Sequence, residues 1–143
     1  MPDYKKILLV VDLSDDSQLV GERAKAIAAC YKSEITLLHV VEYVPVEPMG
    51  EALLPTVQIE SELVERARKR LTELAAKLAL NDAHQLVETG GIKTEIIRTA
   101  QRLSADLIVL GSRERHGLAI LLNFTEDTIL HAAPCDVLAV RLH

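Results

Sequence analysis

The sequence predicts an α/β domain: five parallel strands in an open sheet, with helices on both faces. Three observations predict it. Runs rich in β-branched residues and apolar on both sides recur at 7–11, 35–41 and 107–110, as the interior strands of a parallel sheet require. Segments with apolar residues at helical spacing lie between the runs. The two kinds of segment alternate along 143 residues, which implies right-handed crossovers and helices covering both faces.

The first strand, Ile7 to Val11, ends at Asp12. Ser14 is placed to cap the next helix, with Asp15 and Asp16 near its positive end. Val20, Ala24, Ile27, Ala28 and Tyr31 give that helix one buried face. The second strand covers Ile35 to Val41. From Glu42 to Pro55 the chain carries Pro45, Pro48, Pro55 and Gly50. Neither a continuous helix nor a central strand tolerates that content, and the stretch reads as a long excursion, a flap over the sheet. From Thr56 onward the period is helical again. Leu63, Ala67, Leu71, Leu74 and Leu78 share a face, and Glu62, Glu65, Arg66, Arg68, Lys69 and Arg70 form a solvated one.

His84 to Thr89 is a third, weaker strand, and Gly90-Gly91 is a turn. Ile96, Ile97, Ala100 and Leu103 mark a third helix. Leu107 to Leu110 is a strong strand that Gly111 closes. Ser112 to Gly117 is then an irregular loop, followed by a helix ending near Ala132, where Pro134 stops it. Val137 to Val140 form the fifth strand. No repeat or second domain interrupts residues 1–143.

Composition narrows the function classes. Aromatic residues make up 3% of the chain, too few for a surface that stacks single-stranded nucleic acid. The net charge of −5 is the wrong sign for phosphate backbones or anionic membranes. No apolar run reaches the length of a membrane span, and the N-terminus lacks a signal-peptide core. A cytoplasmic protein without nucleic-acid or membrane partners is expected. Cys30 and Cys135 stand apart, without a C-x-x-C pair, and read as reduced structural residues. His39 reads as a buried, hydrogen-bonded strand-end residue. His84, His131 and His143 have no ligand spacing, so no metal is expected. No nucleophile elbow, phosphate loop or Cys–His pair appears, and no catalytic residue is assigned.

In an open parallel sheet, ligands sit outside the carboxyl ends of the strands, where the strand order reverses. Topology therefore selects Asp12, Val40, Gly90 and Gly111. Asp12 has an equally good reading as a residue that only starts the helix.

Four segments around these positions carry a resemblance. They are Lys6-Ile7-Leu8-Leu9-Val10-Val11-Asp12-Leu13-Ser14, Leu37-Leu38-His39-Val40-Val41, 105–113 (Ala-Asp-Leu-Ile-Val-Leu-Gly-Ser-Arg) and 133–140 (Ala-Pro-Cys-Asp-Val-Leu-Ala-Val). In order and separation the chain resembles the universal stress protein family, whose fold is adenine nucleotide alpha hydrolase-like. The resemblance implies sheet order 3-2-1-4-5, a homodimer, a cytoplasmic location and a stress role that is rarely enzymatic. Many members bind ATP or AMP through G-x-x-G, nine residues, then G-S or G-T. By position, Asp12 and Val40 match the groups that hold ribose and adenine, and Gly111 matches the first glycine.

The remainder of that signature is degenerate. Glu114 stands at the second glycine. Counted forward from Gly111, the final pair is Phe124-Thr125; counted back from Pro134, the loop is one residue short and the pair is Asn123-Phe124. A carboxylate about 4 Å from a phosphate costs roughly 1 kcal/mol in water and about 4 kcal/mol at a partly screened site. Phe124 adds bulk, and Glu126 and Asp127 already complement the dipole of the last helix. Each 1.4 kcal/mol is about tenfold in affinity, so ATP binding is expected to be weak or absent and no cofactor is required. Arg113, Arg115 and His116 argue the other way, as cations able to meet one phosphate, although Arg113 and Arg115 pair as readily with nearby carboxylates. Asn123 and Thr125 complete the degenerate nucleotide set.

The last strand has no proline or lysine in Val137, Leu138, Ala139 and Val140 to blunt an edge. An antiparallel twofold contact over 136–142 is expected. The leading reading is a dimeric, non-enzymatic stress factor that binds or regulates other proteins. The alternative is a nucleotide-binding sensor or weak ATPase using Asp12, Val40 and Gly111.

Overall fold

The computed structural model describes residues 3–42, 53–113, 129 and 131–142, of which 53–58 and 113 are described for their backbone alone. Along the chain run β1 (Lys6–Val10), α1 (Ser17–Tyr31), β2 (Glu34–Val41), α2 (Leu53–Lys77), β3 (His84–Thr89), α3 (Ile92–Leu103), β4 (Leu107–Arg113) and β5 (Asp136–Leu142). The strands form one parallel sheet in the order β3-β2-β1-β4-β5, as the resemblance implies. Ile129, His131 and Ala132 are helical, and the Ala133 N–H donates to the Ile129 carbonyl at 2.8 Å. The last helix therefore ends where Pro134 requires.

Neighbouring residues of one strand point to opposite faces, and both faces are covered. Leu9, Leu37 and Val109 pack with Ala24 of α1 and Leu71 and Leu78 of α2. Leu8, Leu38 and Ile108 pack with Ile96 and Ala100 of α3 and with Ile129. This two-sided burial explains why the central strands are unbroken apolar runs. Removing one such side chain from water is worth about 1.5–3 kcal/mol.

Several expectations need correction. Ser14 does not cap α1: the helix starts at Ser17, Asp16 occupies the N-cap position without a side-chain cap, and Ser14 lies in the turn before it. The carboxylate of Asp12 instead ties the turn to the Ser17 hydroxyl at the start of α1. Helix α2 begins at Leu53, so Pro55 lies in its first turn, where no intrahelical N–H is lost. Apart from Glu42 and that first turn, the expected flap lies outside the described residues. Leu63 is 37% exposed and does not join the buried face of α2. Gly111 does not close β4, which continues through Ser112 and Arg113. Cys30 is exposed on α1 and is no core residue, whereas Cys135 is half-buried and packs against the α3-side core.

The amino end of the sheet is closed by polar bonds. One oxygen of Asp106 accepts the backbone N–H groups of Lys5 and Lys6, each at 2.9 Å. The Asp106 N–H returns a bond to the Lys6 carbonyl at 2.8 Å. Ser33 Oγ donates to the Tyr4 carbonyl, and the Tyr4 hydroxyl donates to Asp136 at 2.7 Å.

Candidate functional site

The carboxyl end is built differently, and strand register shows why. β1 stays paired with β2 as far as Val10 and Leu38, but leaves β4 after Leu9 and Val109. The outer pairs continue: β2–β3 to Val41 and Thr89, β4–β5 to Arg113 and Leu142. β1 turns away while β4 runs on, and a cavity of about 260 Å³ opens where they part. This is the point of strand-order reversal at which open parallel sheets bind ligands.

Three of the residues chosen from sequence meet there. Asp12, Val40 and Gly111 all line the cavity. Gly90, the fourth topological candidate, does not line it. It turns the chain out of β3 at φ +138°, a conformation that favours glycine, and an added Cβ would lie 3.3 Å from the buried Glu95. Of the degenerate nucleotide set, Asn123 and Thr125 lie outside the described residues, as do Glu114, Arg115, His116 and Phe124. Arg113 is placed through its backbone alone, paired with Leu142 at the end of β4.

Asp12 works inside the protein. Its Oδ1 accepts the Ser14 N–H at 2.9 Å and the Ser17 hydroxyl at 3.0 Å. The carboxylate thereby ties the end of β1 to the first residue of α1, where negative charge complements the helix dipole. Between them Leu13 adopts φ +64° and is buried in the α1-side core. An Arg70 guanidinium N–H from α2 reaches over to the Leu13 carbonyl. The turn is thus pinned from three sides.

Val40 lies inside the β2–β3 ladder, opposite Glu88, and is not a free strand end. Gly111 likewise sits inside the β4–β5 ladder, opposite Val140. Its lack of a side chain has a packing cause. A Cβ there would come within 2.7 Å of Leu142 Cδ1 and 3.2 Å of Val20 Cγ2. Aliphatic carbon from β5 and α1 occupies that space.

The rest of the wall is mostly aliphatic: Val10, Val11 and Val20, then Ile92, Ile96, Leu110, Ile129 and Leu142. Ser17 and His39 are the other polar members among the described residues. The ring nitrogen Nδ1 of His39 lies 2.8 Å from the Val11 carbonyl, which makes Nδ1 the donor. His39 is hydrogen-bonded as the sequence suggests, but it is half-buried rather than buried and lies inside β2 rather than at its end; it also faces the cavity, which sequence did not foresee. Ser17 was missed as well; its signal is its place five residues after Asp12, legible only once that turn is known. Among the described residues no group of three or more His, Cys, Asp or Glu side chains is placed to hold a metal. No described helix is long and apolar enough to cross a membrane.

A polar hollow of about 360 Å³ lies on the other side of the β1–α1 turn, lined by Ser14, Asp15, Gln18, Arg70, Glu73 and Lys77 among others. Its cations and carboxylates are mixed, so it presents no single charge.

Comparison with known proteins places this geometry. The profile of the universal stress protein family matches residues 3–141. Universal stress protein A homolog 2 of Coxiella burnetii is 40% identical over 99% of this chain and 98% of its own. Homolog 1 of the same organism is 41% identical over 96% of each. Among solved structures, the universal stress protein UspA from Lactobacillus plantarum superposes with a TM-score of 0.74 at 28% identity, covering 97% of this chain and 99% of its own. A universal stress protein in complex with cAMP shares the fold, with a TM-score of 0.63, 18% identity and coverage of 96% and 97%.

Proposed function

The chain belongs to the universal stress protein family, and from that premise we propose that it is a cytoplasmic, dimeric, non-enzymatic member that binds or regulates partners and holds ATP weakly or not at all. The observation that carries this reading is the chemistry of the crevice. Its carboxylate, Asp12, is committed to Ser14 and Ser17. No Lys or Arg stands among the described side chains that line it, so a polyanion would meet one carboxylate and aliphatic walls there. Glu114, where the nucleotide signature has its second glycine, and Phe124, within its final pair by either count, act in the same direction. Calorimetric titration with ATP and AMP, with and without magnesium, tests the proposal. No binding below millimolar nucleotide is expected, and micromolar binding would overturn it.

A second reading has its own support. Asp12, Val40 and Gly111 converge on one cavity, and a structural neighbour is described as a cAMP complex. A nucleotide sensor or weak ATPase would use those three residues. The same titration decides, since silence at millimolar nucleotide ends this alternative.

The dimer is proposed through the free edge of β5. Ala139 and Arg141 are exposed there, while Val140 and Leu142 are buried. Ala139→Lys places like charges together across a twofold edge without touching the core. Sedimentation should show the native chain as a dimer and the variant as a monomer; a monomeric native chain refutes this part.

A further inference from the structure

We propose that the crevice is a binding site for a small, neutral, apolar molecule, an aromatic or branched hydrocarbon skeleton without phosphate or carboxylate. The inference rests on the reading that the site does not hold nucleotide, and it names what the site takes instead.

The wall chemistry comes first. Side chains of both core layers meet in the cavity: Val20 and Leu142 from the α1 side, Ile92, Ile96 and Ile129 from the α3 side. Among the described residues the few polar side chains of the wall are mostly bonded internally. Asp12 Oδ1 accepts two bonds, Ser17 Oγ donates one of them, and His39 Nδ1 is held by the Val11 carbonyl. An apolar ligand leaves every one of those bonds in place, and a polar one finds few groups to meet it in a largely aliphatic wall, His39 Nε2 being the clearest acceptor left.

Size and access agree. A cavity of about 150 Å³ lined by Leu, Ile and Phe stays dry and takes benzene, and this one measures about 260 Å³. Two fused or linked rings match that scale. The cavity lies at the parting of β1 and β4, so a ligand seats without displacing a strand. Leu142 closes the floor above Gly111, where a phosphate would otherwise approach the glycine backbone.

The test uses a matched pair of fluorescent probes on the full chain: neutral N-phenyl-1-naphthylamine and its anionic relative, 1-anilinonaphthalene-8-sulfonate. The neutral probe should bind saturably, one per chain, and on the order of tenfold or more tighter than the anion. Ile92→Trp, at the half-buried start of α3, should fill the cavity and weaken that binding by a similar factor. Leu63→Ser, on the exposed flank of α2, should leave it unchanged. Circular dichroism on each variant establishes that the fold is retained. Lack of saturable binding, equal affinity for both probes, or loss of binding in Leu63→Ser but not Ile92→Trp overturns the inference. ATP and AMP are titrated in parallel. Micromolar nucleotide that displaces the probe overturns the functional reading together with this inference, whereas silence of nucleotide and probe alike overturns the inference alone.

Discussion

The two ends of the sheet use opposite chemistry. At the amino end, polar side chains stitch strands and loops together: Asp106 holds two amides of the segment entering β1, Tyr4 reaches Asp136 at the start of β5, and Ser33 reaches Tyr4. At the carboxyl end, β1 and β4 separate and the gap is walled by aliphatic side chains. There the β1–α1 turn is tied through Asp12, Ser14 and Ser17, Arg70 of α2 reaches the Leu13 carbonyl, and His39 reaches the end of β1. One end uses polar bonds between strands and loops for closure, and the other sets a few polar groups into a largely aliphatic opening. A parallel sheet has both ends available, but only at the carboxyl end do the strands diverge around a reversal of strand order, so the opening falls there.

Breaking the closed end should cost most. Asp106→Ala removes the acceptor of two amide bonds and should lower the unfolding free energy by about 2–3 kcal/mol. Urea unfolding measures it, and Asp106→Asn, which keeps one acceptor oxygen, should lose less. A loss under 0.5 kcal/mol would mean that water replaces the stitch and that the contrast is geometric only. At the open end, Gly111→Val pushes a side chain into Leu142 and Val20 and should cost about 1–3 kcal/mol through overpacking. Wild-type stability in that variant would mean that Leu142 swings aside freely. Asp12→Ala leaves the start of α1 without its side-chain acceptor and should cost about 1 kcal/mol, the range of a lost helix cap. A much larger loss would place Asp12 among the stitches and erase the distinction.

Smaller effects sharpen the closed end. Burial raises the pKa of the Cys135 thiol, with Asp136 and Asp106 adding to the rise, so less thiolate forms at a given pH. Cys30 is exposed. Iodoacetamide at pH 8 should therefore alkylate Cys30 about tenfold faster or more, read by peptide mass spectrometry; equal rates would contradict the burial of Cys135. The hydrogen bond to Asp136 raises the Tyr4 pKa above its ordinary value of 10.0. It therefore favours the protonated phenol in the folded chain. That stabilisation is complete below the ordinary value and is lost as pH rises past the folded one. Tyr4→Phe should flatten the alkaline limb of a stability–pH curve slightly and change nothing at pH 7 beyond the loss of one exposed bond.

Much of this was readable beforehand, for identifiable reasons. Leu8, Leu9, Leu37, Leu38, Ile108 and Val109 are buried on alternating faces, and such residues leave an unbroken apolar run. Pro134 and Gly90 mark their turns because backbone geometry admits few alternatives. The helix start at Ser17 was not readable, since Asp12, Ser14 and Asp16 all have N-cap chemistry and only the path of the turn selects among them. The extension of β4 past Gly111 was not readable either. Glycine commonly ends a strand, but pairing with Val140 and Leu142 carries this one through.

The order of elements and the buried strand runs came from the residues themselves, because hydrophobic period and turn chemistry act locally along a chain, and the strand-end set Asp12, Val40, Gly90 and Gly111 followed from the topology they imply. How the side chains around the crevice are held was decided only by the fold. Asp12 is tied to Ser17, Gly111 lies under Leu142, and His39 turns to Val11. Each contact joins different elements, and no local pattern encodes how two strands will part or which side chains will line the gap.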